Sequence, residues 1–253
     1  MTVAASVPRG QTARPGFYLW VSAGFVLAAF AGFAPTYWLP LAEGTFRASP
    51  LVHIHGGVFF AWTIFVVYQT WLVSAGRIAN HREVGLLGIS LASVMTILGM
   101  TTAIVSATRV SAAGFGMEAR AFLIVPFLGI LFFATTIGFA IGNVRRIEWH
   151  KRLMLVATAG ILEAPIARWF FVLLAPPNAT PAPPPVIVAL MPGLVGDLFI
   201  VAGIVYDWRL RGSPHRAYLI GGGALLAMQF ARDPLSRTGA WDVVANWLVS
   251  IVT

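Results

Sequence analysis

The chain has no cysteine among its 253 residues, and this excludes disulfides, thiolate metal sites, iron–sulfur clusters and cysteine nucleophiles together. Any metal must be bound through His, Asp, Glu or Met. Charge is also scarce. Asp, Glu, Lys and Arg make up 10% of the residues, against about a quarter in soluble domains. Lys151 is the only lysine, which excludes a retinal-type lysine within a membrane span. There is no G-x-x-x-x-G-K-[ST], no G-x-G-x-x-G on a strand, no H-E-x-x-H and no G-x-S-x-G, so nucleotide-binding, zincin and hydrolase-elbow readings have no support.

Apolar sequence takes the place of charge: 58% of residues are hydrophobic and the mean hydropathy is +0.81. Seven runs are long enough for membrane spans, at about 17–38, 51–75, 84–108, 120–143, 151–175, 185–206 and 216–231. The expected fold is therefore an all-α bundle of seven transmembrane helices, with residues 1–16 as a cytoplasmic tail, 17–231 as the membrane domain and 232–253 as an interfacial segment carrying Trp241 and Trp247. The spans fill the length and leave no room for a separate soluble domain. The first run is too long for the apolar core of a signal peptide and is read as a retained span.

The net charge of +8 does not point to nucleic acid, because the basic residues sit in short loops and form no stripe on a polar face. They read as topology signals. Threading the chain through seven crossings puts 11 Lys and Arg residues on the side of the N-terminus and 5 (Arg47, Arg109, Arg120, Arg232 and Arg237) on the other. The positive-inside rule then sets the N-terminus in the cytoplasm and the C-terminus outside. Tyr18, Trp20, Trp71, Trp149, Tyr206 and Trp208 mark the inner boundary, and Tyr37, Trp38 and Trp169 the outer one. The stretch Pro176–Pro185, with six prolines and no charge, is expected to be an extended outer linker.

Three ionisable residues fall inside the spans: Glu163, Arg168 and Asp197. A charge at the centre of a membrane helix costs roughly 2.5–3.5 kcal/mol, so such groups are paired, face a cavity or serve a function. Glu163 and Asp197 are each expected roughly 15–18 Å from their span's start, near the midplane. Two acids at one level require a donor or cation, with Arg168 or a metal as the candidates. Glu163 and Arg168 are about 140° apart on an ideal helix, which precludes a simple side-by-side pair. Pro165 lies between them, bends the helix and frees the Ile161 carbonyl.

His55, Phe59, Trp62 and Gln69 follow one another at helical steps of 4, 3 and 7 and share a face, whereas His53 is turned away by about 200°. His53 and His55 are candidate metal ligands, of which one can face a given site. The other reading is a pair of interfacial histidines in contact with headgroups and water. A weak repeat places His81-Arg82, His150-Lys151-Arg152 and His215-Arg216 at the inner ends of three spans. It is either a ring of imidazoles at one depth or the ordinary composition of basic inner loops.

The run Thr36-Tyr37-Trp38-Leu39-Pro40, His53-Ile54-His55-Gly56 with Trp62 and Gln69, Gly76-Arg77 to His81-Arg82 with Gly85, and His150-Lys151-Arg152-Leu153-Met154 with Ala167-Arg168 resembles a family of uncharacterised multi-pass bacterial inner-membrane proteins. The likeness covers about residues 17 to 230 and implies location and architecture rather than a reaction. More distantly, the chain resembles small b-type haem membrane proteins. That likeness implies haem b, with His81 and His150 as axial ligands, His215 as a substitute, and Arg82 and Arg152 as propionate partners. Three classes of function follow: a haem- or metal-binding redox protein; a transporter or proton relay built on Glu163, Arg168, Asp197 and Gln69; and an accessory subunit of a membrane complex without chemistry. The lipid bilayer is the one partner common to all three.

Overall fold

The computed structural model describes residues 16–174 and 182–252. The N-terminal tail and most of the proline-rich linker lie outside the described residues. Among those described there is no strand. Ten α-helices follow in order: α1 (Gly16–Gly32), α2 (Leu39–Ala42), α3 (Pro50–Ser74), α4 (Ile78–Val110), α5 (Gly116–Gly142), α6 (Ile147–Gly160), α7 (Glu163–Leu174), α8 (Leu190–Arg211), α9 (Arg216–Ser236) and α10 (Gly239–Ser250).

Four helical runs are long and apolar enough to cross a bilayer: Pro50–Ser74, Ile78–Gly142, Ile147–Leu174 and Val186–Arg211. A fifth is obtained if Gly16–Gly32 and Ala34–Ala42, bent by 41°, count as one span. The run Ile78–Gly142 is 65 residues long. Extended straight it would measure about 98 Å, roughly three times the hydrocarbon thickness. It folds back instead at Gly114, whose φ of +98° is open to glycine and closed to most other residues, and α4 packs along α5. Outward-facing Leu27, Leu86, Phe139, Leu198 and Ile220 are well exposed. Apolar faces of that extent belong to a membrane protein rather than to a soluble one.

Helices α1, α3, α4, α5, α9 and α8 surround α6, while α7 lies in the wall between α1 and α8. Helix α6 is the central post: Leu153 and every residue from Leu155 to Ala159 are buried. The chain breaks between α6 and α7 at Ile161–Leu162, just before Pro165, as the proline predicts. A second break follows α1, where Pro35 sits in a π-helical turn, Ala34–Trp38. Pro35 has no N–H to offer the Ala31 carbonyl four residues back, and Trp169 Nε1 of α7 donates to that oxygen at 2.9 Å. The two breaks touch directly. A Cβ on Gly32 would lie 2.5 Å from Pro165 Cβ and 2.6 Å from its carbonyl oxygen, so only glycine admits this approach.

Two expected boundaries shift. The seventh helix does not stop at 231; α9 continues to Ser236 and carries Arg232 into the interior, 1% exposed. The C-terminal segment also does more than rest on a surface. Helix α10 buries Trp241, Ala245 and Leu248 against Ala107 of α4 and Leu123 and Ile124 of α5, and Trp241 Nε1 donates to the Arg120 carbonyl at 2.9 Å. Trp247 remains 63% exposed.

Candidate functional site

At the end of the bundle where α6 and α9 begin, the buried charges are paired. Arg152, 0% exposed, donates from Nε to Asp207 Oδ2 at 2.7 Å and from Nη2 to Asp207 Oδ1, while Nη1 reaches Glu148 Oε2 at 2.6 Å and the Glu148 carbonyl at 2.9 Å. Lys151 and Arg211 also hold Glu148. The His215 backbone N–H donates to Asp207 Oδ2 at 3.1 Å. The cluster ties the ends of α6, α8 and α9 together. Arg152, expected to meet a propionate, is therefore committed to carboxylates of this chain. Asp207 was not among the expected site residues. Its signal in the sequence is a lone acid one turn before Arg209 and Arg211, at the depth of the His-Arg repeat.

Halfway along the bundle, Arg232 clamps Glu163 with two hydrogen bonds, Nη1 to Oε1 at 3.0 Å and Nη2 to Oε2 at 2.8 Å. The expected cation, Arg168, takes no part. Its position five residues along α7 turns it away, and the extension of α9 supplies the guanidinium in its place. Asp197 accepts from Gln229 Nε2 at 3.3 Å. Gly193 makes room for this group, since a Cβ there would lie 2.9 Å from Gln229 Nε2 and 3.4 Å from Glu163 Oε2. Glu163 and Asp197 thus do share one neighbourhood, with Gln229 and Arg232 between them. Both of those side chains lie on the α9 face that buries Gly221, Leu225 and Ser236; helical steps of four, four, three and four through 221, 225, 229, 232 and 236 carry that signal.

Beside Glu163 opens a cavity of about 480 Å³, walled by α1, α3, α4, α5 and α7. Its lining is largely apolar, with Phe33, Phe59, Phe122 and Phe171 among the walls. Three lining residues carry buried polar atoms that have no hydrogen-bond partner among the described residues: His55 Nδ1, Thr102 Oγ1 and Arg168 Nε. The Arg168 guanidinium lies over the Phe33 ring at 5.4 Å and makes no ion pair with a described carboxylate. Its charge acts on the nearby His55 ring, which packs against Phe59 at 4.2 Å between centroids. A polar arc on an apolar wall is the usual form of a small-molecule site.

The histidines divide as their spacing requires. His53 turns the other way and shares a 3.0 Å hydrogen bond between Nδ1 and Tyr37 Oη, so His53 and His55 do not converge on one metal. Of the expected face of α3, His55 and Phe59 reach the cavity. Trp62 instead donates to Thr158 Oγ1 at 3.3 Å, and Gln69 lies deeper, 8% exposed, with both side-chain polar atoms unpartnered among the described residues. His81 and His150 do come together, with ring centroids 6.4 Å apart and planes at 74°. Two metal–nitrogen bonds of about 2 Å plus two ring radii span roughly that distance. His81 Nδ1 is buried without a partner among the described residues. His150 Nδ1 is held by the Ala140 carbonyl at 2.9 Å, the kind of contact that orients a ligating imidazole. The ring spacing is the one feature that suits a shared metal ion. The arginines do not complete a haem site, since Arg152 is engaged elsewhere and Arg82 is exposed. His215 stays apart as the cap of α9, accepting the Ala217 N–H on Nδ1 at 3.1 Å. No three His, Asp or Glu side chains among the described residues gather into a metal-binding group.

Comparison of the chain with protein-family models, with curated proteins and with solved structures gives no match.

Proposed function

We propose that this chain is a seven-span bacterial inner-membrane protein of the transporter or carrier class, which takes a small lipophilic molecule into the cavity beside Glu163 and Arg168. One observation carries the reading: an apolar cavity of about 480 Å³ whose wall holds the Arg168 guanidinium without a carboxylate among the described residues. A protein gains nothing from taking an unpaired cation even partly out of water unless something else meets it. Transport rather than storage is supported by the helix interrupted at Ile161–Leu162 and by the acids near mid-depth, features that carrier sites share. Seven crossings are supported by the rods α1, α3, α4, α5, α6–α7, α8 and α9. With Arg152 and Arg232 both withdrawn to the interior, the charge asymmetry goes from 11 against 5 to 10 against 4, which favours a cytoplasmic N-terminus.

The experiment is retention of bound small molecules. Protein extracted directly into lipid nanodiscs is analysed by native mass spectrometry, beside the variant Gly129→Leu. Gly129 lines the cavity, and a Cβ there meets nothing within 4 Å, so leucine fills the space without disturbing the helices. The unaltered chain is expected to carry a stoichiometric lipophilic adduct and the variant to lose it. Equal retention by both would overturn the reading.

A second reading, a redox protein with haem b or a metal ion between His81 and His150, is supported by their ring spacing alone. Bound to a cofactor iron, the pair would supply axial ligation and set its potential. An absorption spectrum of the purified protein, oxidised and then reduced, tests it: a Soret band supports it and a colourless, metal-free preparation removes it.

A further inference from the structure

The chemistry of the cavity's polar atoms narrows the ligand class, an inference that rests on the cavity being the binding site. Along α3 the lining runs from Val52 to Thr63, about 16 Å of helix, and most of the wall is carbon. His55 lies in the second turn of α3 and Arg168 in the second turn of α7. The one acid of the lining, Glu163, is already clamped by Arg232, which leaves Arg168 as the charge open to a ligand.

We propose that the cavity binds a lipophilic carboxylic acid, such as a long-chain fatty acid. The carboxylate meets Arg168, and the apolar remainder lies against the carbon of the walls. A guanidinium fork matches a carboxylate with two parallel hydrogen bonds. His55 Nδ1 and Thr102 Oγ1 are further lining groups with no partner among the described residues. Glu163 offers no place to an anion, because its own charge is matched by Arg232.

The test uses a photoactivatable dodecanoate carrying a diazirine near its methyl end, and the matching dodecanol, each irradiated with the full-length protein in nanodiscs. Mass spectrometry then locates the labelled peptides. The acid is expected to label α4 and α5 around Gly99 and Gly129, at least tenfold more than the alcohol. Arg168→Gln is expected to abolish that preference, Arg168→Lys to restore part of it, and Gly129→Leu to lower acid labelling without a change in melting temperature. If acid and alcohol label the lining equally, in the unaltered chain and in Arg168→Gln alike, the carboxylate class is wrong while the cavity remains a binding site. If neither probe labels the lining and Gly129→Leu changes nothing, the cavity reading itself falls. Should Arg168→Gln fail to fold, the contrast between acid and alcohol in the unaltered chain decides the matter alone.

Discussion

Two arginines of this chain, Arg152 buried and Arg168 half-buried, live in opposite circumstances. Arg152 has every guanidinium nitrogen committed to an oxygen of the protein, and its neighbours Glu148 and Asp207 are shared with Lys151, Arg211 and the His215 backbone. Arg168 faces a ring and a void. A guanidinium as satisfied as the first has no capacity left for a ligand, so its work is to hold helix ends together. The second has a buried Nε with no partner among the described residues, which weakens the fold locally and is what the proposed site would bind with. Completeness of hydrogen bonding thus separates scaffold from site more reliably than burial does.

The sharpest way to break this contrast is to remove each charge in turn. Arg152→Met leaves Asp207, 1% exposed, as an uncompensated buried carboxylate, and should cost about 3–5 kcal/mol, read as a large fall in melting temperature in detergent. Glu163→Gln should cost about 3 kcal/mol by stranding Arg232, and most of that loss should return in the Glu163→Gln, Arg232→Met double variant. Arg168→Met should have the opposite sign, raising stability by about 1 kcal/mol because a half-buried charge with no ion pair among the described residues disappears; a destabilisation would mean that Arg168 is held by the protein after all. Trp169→Phe, which removes the donor to the Ala31 carbonyl, should cost about 1 kcal/mol.

The smallest effect concerns pH. Burial, joined by the charge of Arg152, holds the His215 imidazole below its ordinary range, and the neutral ring is also what accepts the Ala217 N–H. A base whose pKa is lowered by folding binds protons more readily when unfolded. The stability it contributes is therefore present above about pH 6.5 and is lost as pH falls through the lower folded value. Melting temperatures measured from pH 7.5 down to 5 should decline in the unaltered chain, and less steeply in His215→Asn, which keeps an N-capping side chain.

Much of this could be read in advance because hydropathy and helical spacing are local properties. The long apolar rods, the break at Pro165 and the opposite facing of His53 and His55 follow from residues counted along one helix, and the similar depths of Glu163 and Asp197 from counting along each of two. Pairing between helices does not. Arg168 and Arg232 are both arginines near the ends of apolar runs, and nothing in the order of residues says which of them meets Glu163; that depends on α9 running one more turn and on its side-chain azimuth. The same holds for Arg152, whose partner Asp207 lies 55 positions away. Membrane helices choose neighbours by shape and by the few polar groups they carry, and the cavity is a residue of that packing, left where small side chains at Gly56, Gly99, Gly129 and Gly160 line the walls.

The latch between Trp169 and Ala31, together with the seat of Pro165 on Gly32, couples two interruptions that belong to different rods. Neither elbow can straighten alone. Any swing of α7 must drag the Gly32 end of α1 with it, a two-arm lever whose fulcrum is a glycine with no side chain to resist the turn.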